Sequence, residues 1–279
     1  TPLYSSAASD VYKRQAQYAK IYGISVLRYA VLSGIPFIVF YFLFSSKFIK
    51  SKIQERAASS KDFVGEIVHS LQSLVVLTLM GYIVLFSPLR TYSLIYHDIA
   101  QFPLWWLPVS FMLSLVVHDT YFYWMHRLLH HKAIFTFTHK VHHKSVNPSP
   151  WVSYSFHFIE AFTESLVLLV AAFIIPMHPI SILLFTVIGF LINVYGHLGF
   201  ELMPKRFRSS VLFQIFNTSV YHNLHHSKFK GNYSLYFRFW DKWMKTEHPH
   251  YEKTYDMIQE KRFGKATALN QDFSTSNYL

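Results

Sequence analysis

Apolar and polar positions along this chain fall into long blocks, not into the short amphipathic repeats of a water-soluble domain. Five stretches are nearly free of charge: about Ile24 to Phe44, Ile67 to Phe86, Trp105 to Trp124, Phe162 to Ile175 and Ile180 to Val194. A helix needs about 20 apolar residues to cross roughly 30 Å of hydrocarbon, so the first three have the length of membrane spans. The last two read as a hairpin around Pro176, Met177, His178 and Pro179, and the shorter fourth also reads as re-entrant. The pattern predicts an all-α integral membrane protein with four to five transmembrane helices.

Composition sharpens this picture. Hydrophobic residues make up 52% of the 279, aromatics 19% and charged residues 15%. The net charge of +11 comes from Lys and Arg between and after the apolar blocks. They form no continuous stripe, which fits anionic lipid head groups better than nucleic acid. The absence of cysteine excludes a disulfide framework, a thiolate zinc site and an iron–sulfur cluster. Any metal must be held by nitrogen and oxygen.

Residues 1–15 lack an initiating Met and an apolar period, and they resemble translated cloning-adapter sequence. They are expected to be non-native or disordered, with the true N-terminus missing. Residues 16–279 are expected to form one membrane-embedded domain with a frayed end from Phe263 to Leu279. Lys47, Lys50, Lys52, Arg56 and Lys61 follow the first block, whereas the next connection holds only Arg90. The positive-inside rule makes the first connection cytoplasmic, so the third block ends on the cytoplasmic face near His126. Lys13, Arg14 and Lys20 conflict mildly with that orientation. The hairpin leaves and returns on one side, which delivers the histidine-rich segments before and after it to a shared cytoplasmic helical cap.

Of the 17 histidines, His126, His130, His131, His139, His142 and His143 crowd into one short segment. His126 and His130 are spaced i, i+4. His139 with His142/His143, and His222 with His225/His226, are spaced i, i+3/i+4, so on a helix each set shares a face. One such pair is weak, because most interfacial histidines ligate nothing. Three sets on one membrane face supply eight imidazoles, more than one first-row ion accepts, and point to two metal ions. Spacing does not choose among iron, copper, zinc and manganese. His131 points away from the His126/His130 face and is left out.

The blocks HDTYFYWMHRLLHH, HKVHH, HNLHH and NYSLYFRFWDKW resemble the fatty acid hydroxylase and sterol desaturase superfamily of membrane non-haem di-iron oxygenases. VNPSPWVSYSFHFIE is most similar to the C-5 sterol desaturase-like branch. The resemblance covers His118 to Thr246, nearly half the chain. It implies His126, His130, His139, His142, His143, His222, His225 and His226 as catalytic metal ligands and His197 as a further one, with His118 and His157 as additional candidates. Asp119, Glu160 and Asp241 are candidates to orient ligand rings, and Tyr221 and Asn223 to contact the site. This chain departs from the family pattern at Phe158, where relatives carry Pro after His, and at Lys245-Thr246, where they often carry Gly-Thr. Neither removes a ligand.

The chemistry implied is hydroxylation or desaturation of a sterol or fatty acyl lipid, with two Fe ions, O2 and two electrons; zinc can load in a recombinant preparation. No dinucleotide fingerprint or fused cytochrome b5 signature is present, so cytochrome b5 or ferredoxin with a reductase is the expected donor. The expected location is the endoplasmic reticulum in a eukaryote or the inner membrane in a bacterium. Phe122, Tyr123, Trp124 and Trp151 are candidate walls for a substrate entering from the bilayer. The rival readings are a zinc hydrolase, which lacks an H-E-x-x-H motif here, and a non-catalytic metal-binding membrane protein.

Overall fold

The computed structural model describes residues 2–55 and 58–264. Arg56 and the tail beyond Gly264 lie outside the described residues. Helix α1 runs Pro2–Phe37 and passes into a π-helical segment, Ile38–Leu43, just after Pro36, which lacks the amide an α-helix needs there. Residues 2–15 are thus the outer end of a helix in this structure. A short α2 (Ser45–Phe48) leads to α3 (Ser60–Phe86), which Ser59 and Asp62 start with a reciprocal capping box. Next come α4 (Trp106–Leu129), the single turns α5 (Phe135–Thr138) and α6 (Lys140–His143), and the hairpin α7 (Phe158–Ile174) and α8 (Pro179–Gly196).

All five apolar blocks are therefore helical. Among the described residues three helices are long and apolar enough to cross a membrane: Ala8–Leu43 within α1 and its π extension, Ser60–Phe86 and Pro179–Gly196. Two others, α4 and α7, carry His118, Asp119, Glu160 and Glu164, which interrupt their apolar runs.

Burial in these helices is inverted relative to a water-soluble bundle. Ile24, Leu27, Ile35 and Phe42 of the first helix face outward, while Ser70, Ser73, Ser110, Ser114 and Ser181 are buried between helices. Hydrocarbon gives no drive to hide Leu or Ile, whereas a hydroxyl there must find a partner inside the protein. Ser110 meets Ser181 at 2.9 Å, and Tyr29 and Ser70 both donate to the Trp151 carbonyl, at 2.7 and 2.9 Å. The hairpin turn is pinned at the far end, where Tyr96 N–H donates to the Met177 carbonyl and Met177 N–H to that of Leu94.

Beyond α8 the chain builds a cap from α9 (Val211–Ile215), α10 (Ser219–Lys228), α11 (Phe239–Trp243) and α12 (Tyr251–Phe263). Phe213, Val220, Tyr221, Tyr251 and Tyr255 form its core. Fully buried Arg238 lies 4.8 Å from the Phe213 ring and 4.7 Å from that of Tyr251, while its guanidinium donates to Glu247 at 2.7 and 2.8 Å. The loop between α10 and α11 is stitched down from two sides. Asp119 of α4 accepts the backbone N–H groups of Leu235, Tyr236 and Phe237, and Asp241 those of Tyr233 and Ser234.

Candidate metal centre

Four parts of the chain converge where the helices meet the cap. His126 sits on the last turn of α4 and His130 caps it, His139, His142 and His143 come from the α5–α6 turns, His197 caps α8, and α10 supplies His222, His225 and His226. The nine rings form two groups. His126, His130, His139, His143 and His225 make one, and His142, His197, His222 and His226 the other, with candidate ligand atoms of each group within 4.8 Å of one another. The groups adjoin, since the His143 and His226 ring centroids are 4.8 Å apart.

Backbone carbonyls fix the rings. A carbonyl can only accept, so each ring nitrogen facing one must carry the hydrogen. Nδ1 donates to the carbonyl of Tyr233 from His126 at 2.7 Å, of Gly231 from His225 at 2.7 Å, of Asn193 from His197 at 2.8 Å and of Ser145 from His226 at 3.0 Å. Nε2 of each neutral ring is left with a lone pair. His139 Nδ1 instead meets Glu160 Oε1 at 2.7 Å. Gly231 reaches its position with φ +79°, and a Cβ there would collide with the Thr246 carbonyl, so glycine is required for the turn that offers its own carbonyl to His225.

This arrangement fits metal. His225 Nε2 lies 3.1 Å from His130 Nε2 and 3.0 Å from His143 Nε2, which are themselves 3.1 Å apart. In the second group His197 Nε2 faces His222 Nε2 at 2.8 Å and His142 Nε2 at 3.3 Å. A single lone pair cannot satisfy two crowding nitrogens. Neighbouring ligands about 2.1 Å from one ion have nitrogens about 3 Å apart, as found here. His226 Nε2 is also buried with no hydrogen-bond partner among the described residues.

Burial, followed by repulsion from neighbouring imidazoles, holds His139, His142, His143, His222 and His226 well below the ordinary histidine range. Burial lowers His225 to about 4, opposed by its bond to Gly231. Neutral imidazole is the form that ligates. Unfolded histidine titrates near about 6.5, so as pH falls the unfolded chain takes up protons first. The metal-free protein should keep its full stability above about 6.5 and lose it as pH falls toward 4, the value for His225. Its melting temperature should drop across that window.

Other expected site residues lie elsewhere. His118 and His157 are outside both groups. His118 meets the Tyr236 hydroxyl, and His157 caps α7 by accepting the Ile159 N–H. His131 is exposed. Asp119 and Asp241 bond loop amides, not rings, and so hold the loop whose Tyr233 carbonyl fixes His126. Tyr221 faces the cap core, and Asn223 accepts from Gln54, so neither flank of His222 points into the site.

An apolar cavity of about 530 Å³ opens from the histidines into the helices, with His139, His142, His197 and His222 in its wall. Of the expected aromatic walls only Phe122 lines it, joined by Tyr154, Phe156, Phe185, Phe190 and Tyr236. Tyr123 packs on Trp240, Trp151 meets Tyr29 edge-on, and Trp124 is exposed.

The fold and site thus define a helical protein of membrane type whose nine clustered imidazoles can hold metal in two adjoining groups. Residues 111–246, which contain every one of those histidines, match the family described as Fatty acid hydroxylase. The match covers nearly half of the chain, and the curated proteins it is similar to are of the sterol C-5 desaturase type. It is 27% identical over 238 residues to the Delta(7)-sterol 5(6)-desaturase ERG3B of Gibberella zeae, covering 83% of this chain and 68% of that protein. It is 33% and 32% identical to the lathosterol oxidases of Rattus norvegicus and Homo sapiens, each over 63% of this chain and 58% of the relative. No solved structure matches.

Proposed function

We propose that this chain oxidises a lipid within the bilayer, by hydroxylation or desaturation, using O2 and two electrons at a pair of iron ions. The observation that carries this reading is the adjacency of the two imidazole groups to a largely apolar cavity between the helices, with four of the histidines in the cavity wall. His126, His130, His139, His143 and His225 would hold one ion, and His142, His197, His222 and His226 the other. Iron, when bound, supplies the activation of dioxygen that attack on an unstrained C–H bond requires.

The protein's own residues do the rest. Carbonyls of Tyr233, Gly231, Asn193 and Ser145 keep ring hydrogens on Nδ1 and lone pairs on Nε2, and Glu160 orients His139. Phe122, Phe156 and Phe185 give the lipid a dry wall. The site lies on the cytoplasmic face in this reading, where cytochrome b5 or ferredoxin with its reductase delivers electrons. Basic residues around the cap favour an acidic donor.

The relatives named for Delta(7)-sterols and lathosterol make a Δ7-sterol the first substrate to try. Membranes carrying the protein, given a Δ7-sterol or a fatty acyl lipid, should form an oxidised product only when O2 and a reducing system are both present. A product formed without O2 would refute the assignment. Glu160→Gln should weaken iron binding by about 10–100-fold, the usual cost of losing a partner behind a ligand ring, as read by chelator competition.

A further inference from the structure

Within the cavity a second polar feature stands apart from the metal centre. His118 of α4 and Glu164 of α7 both line it, with Nε2 and Oε2 3.8 Å apart, too far for a direct hydrogen bond but close enough for one oxygen atom to bond both. His118 Nε2 is buried and has no hydrogen-bond partner among the described residues. Its other nitrogen, Nδ1, is 2.9 Å from the Tyr236 hydroxyl. With Tyr236 donating to Nδ1, the ring hydrogen sits on Nε2 and faces the gap.

The backbone makes room for this. A Cβ on Gly189 would come within 2.6 Å of the Tyr236 hydroxyl, so glycine at that position of α8 lets the phenol reach His118. A buried donor facing an acceptor across a gap that neither can close costs stability unless something fills it.

We propose that His118 and Glu164 grip the hydroxyl group of a lipid alcohol, which accepts from His118 Nε2–H and donates to the Glu164 carboxylate. The proposal rests on the reading that a lipid occupies this cavity. Glu160 and Glu164 line the cavity together with Arg28 and Arg90, so charge alone does not select the head group; a carboxylate would accept from His118 but has no hydrogen to give Glu164. An ether or ester oxygen accepts but cannot donate, so it would leave Glu164 unanswered. Glu164 is one turn along α7 from Glu160, which holds His139, and His118 is about two turns along α4 from His126. The gripped oxygen therefore sits on the order of 5–12 Å from the imidazoles by helix rise. His118, Glu164 and Tyr236 are positioning residues that set which carbon of the lipid faces the metal centre.

The test is equilibrium binding to the iron-loaded protein in nanodiscs, with two radiolabelled pairs: a Δ7-sterol and its O-methyl ether, and a long-chain alcohol and its methyl ether. In at least one pair the alcohol should bind on the order of tenfold to a hundredfold more tightly, as for a hydrogen bond to a charged group. Glu164→Leu should abolish that preference, Glu164→Gln should restore most of it, and Tyr236→Phe should reduce it, all at unchanged iron content. Equal binding of alcohol and ether by the wild type in both pairs overturns the proposal, with no variant needed. So does a preference that survives in Glu164→Leu. Alcohol preference without oxidation of either alcohol would leave this site standing and count against the oxygenase reading, whereas oxidation without preference does the reverse.

Discussion

His142→Ala should bring lipid oxidation down to background while the protein still inserts and folds. His142 Nε2 lies 3.3 Å from that of His197, and its ring packs 4.6 Å from the His226 ring, in the group that has only four imidazoles. Removing it leaves three ligands for one ion and opens a gap facing the cavity, which His142 also lines. The other group, with five imidazoles, is untouched, so metal content should fall toward half. Insertion should survive because His142 comes from a single-turn helix at the cap and not from a membrane-crossing segment. Product formation, membrane extraction and metal content on one preparation check all three. Turnover near the wild-type rate would exclude His142 as a ligand.

The second large effect lies away from the chemistry. Arg238→Ala should destabilise the cap by about 3 kcal/mol, the low end for breaking a buried ion pair, because Glu247 keeps some contact with water. The guanidinium also lies against Phe213 and Tyr251 and donates to the Phe213 carbonyl, so its loss leaves a cavity and an unanswered acceptor where α9 and α12 meet. Arg238 N–H donates in turn to the Ile215 carbonyl, and the next turn holds Asp241, which anchors the loop behind His126. Melting in detergent should shift downward and iron should be lost at a lower temperature than in the wild type. Arg238→Lys should fall between, since an ammonium cannot make the paired bonds to Glu247. An unchanged melting temperature in Arg238→Ala would show that the cap does not depend on this contact.

The histidine spacings could be read from the chain because they are local: i, i+3 and i, i+4 place rings on one side of a turn whatever the rest of the fold does. Their division into groups of five and four could not, since His142 and His143 are neighbours in sequence yet go to different groups. The ring partners were equally hidden. Asp119 and Asp241 attract attention as carboxylates near the clusters, but the rings are held mostly by carbonyls, which every residue has; only Gly231 leaves a trace in the sequence. Glu160 was readable as a carboxylate in an otherwise apolar run, and Glu164, one turn on, carries the same signal. Aromatic residues misled for a related reason: Phe122, Tyr123 and Trp124 are consecutive, so on a helix they point to different sides and only one faces the cavity.

The claim that two adjoining imidazole groups hold two iron ions is tested most directly by metal analysis of the purified protein after anaerobic reconstitution with ferrous iron. Two irons per chain are expected for the wild type. One iron or none, under conditions that leave the fold intact, would contradict the account.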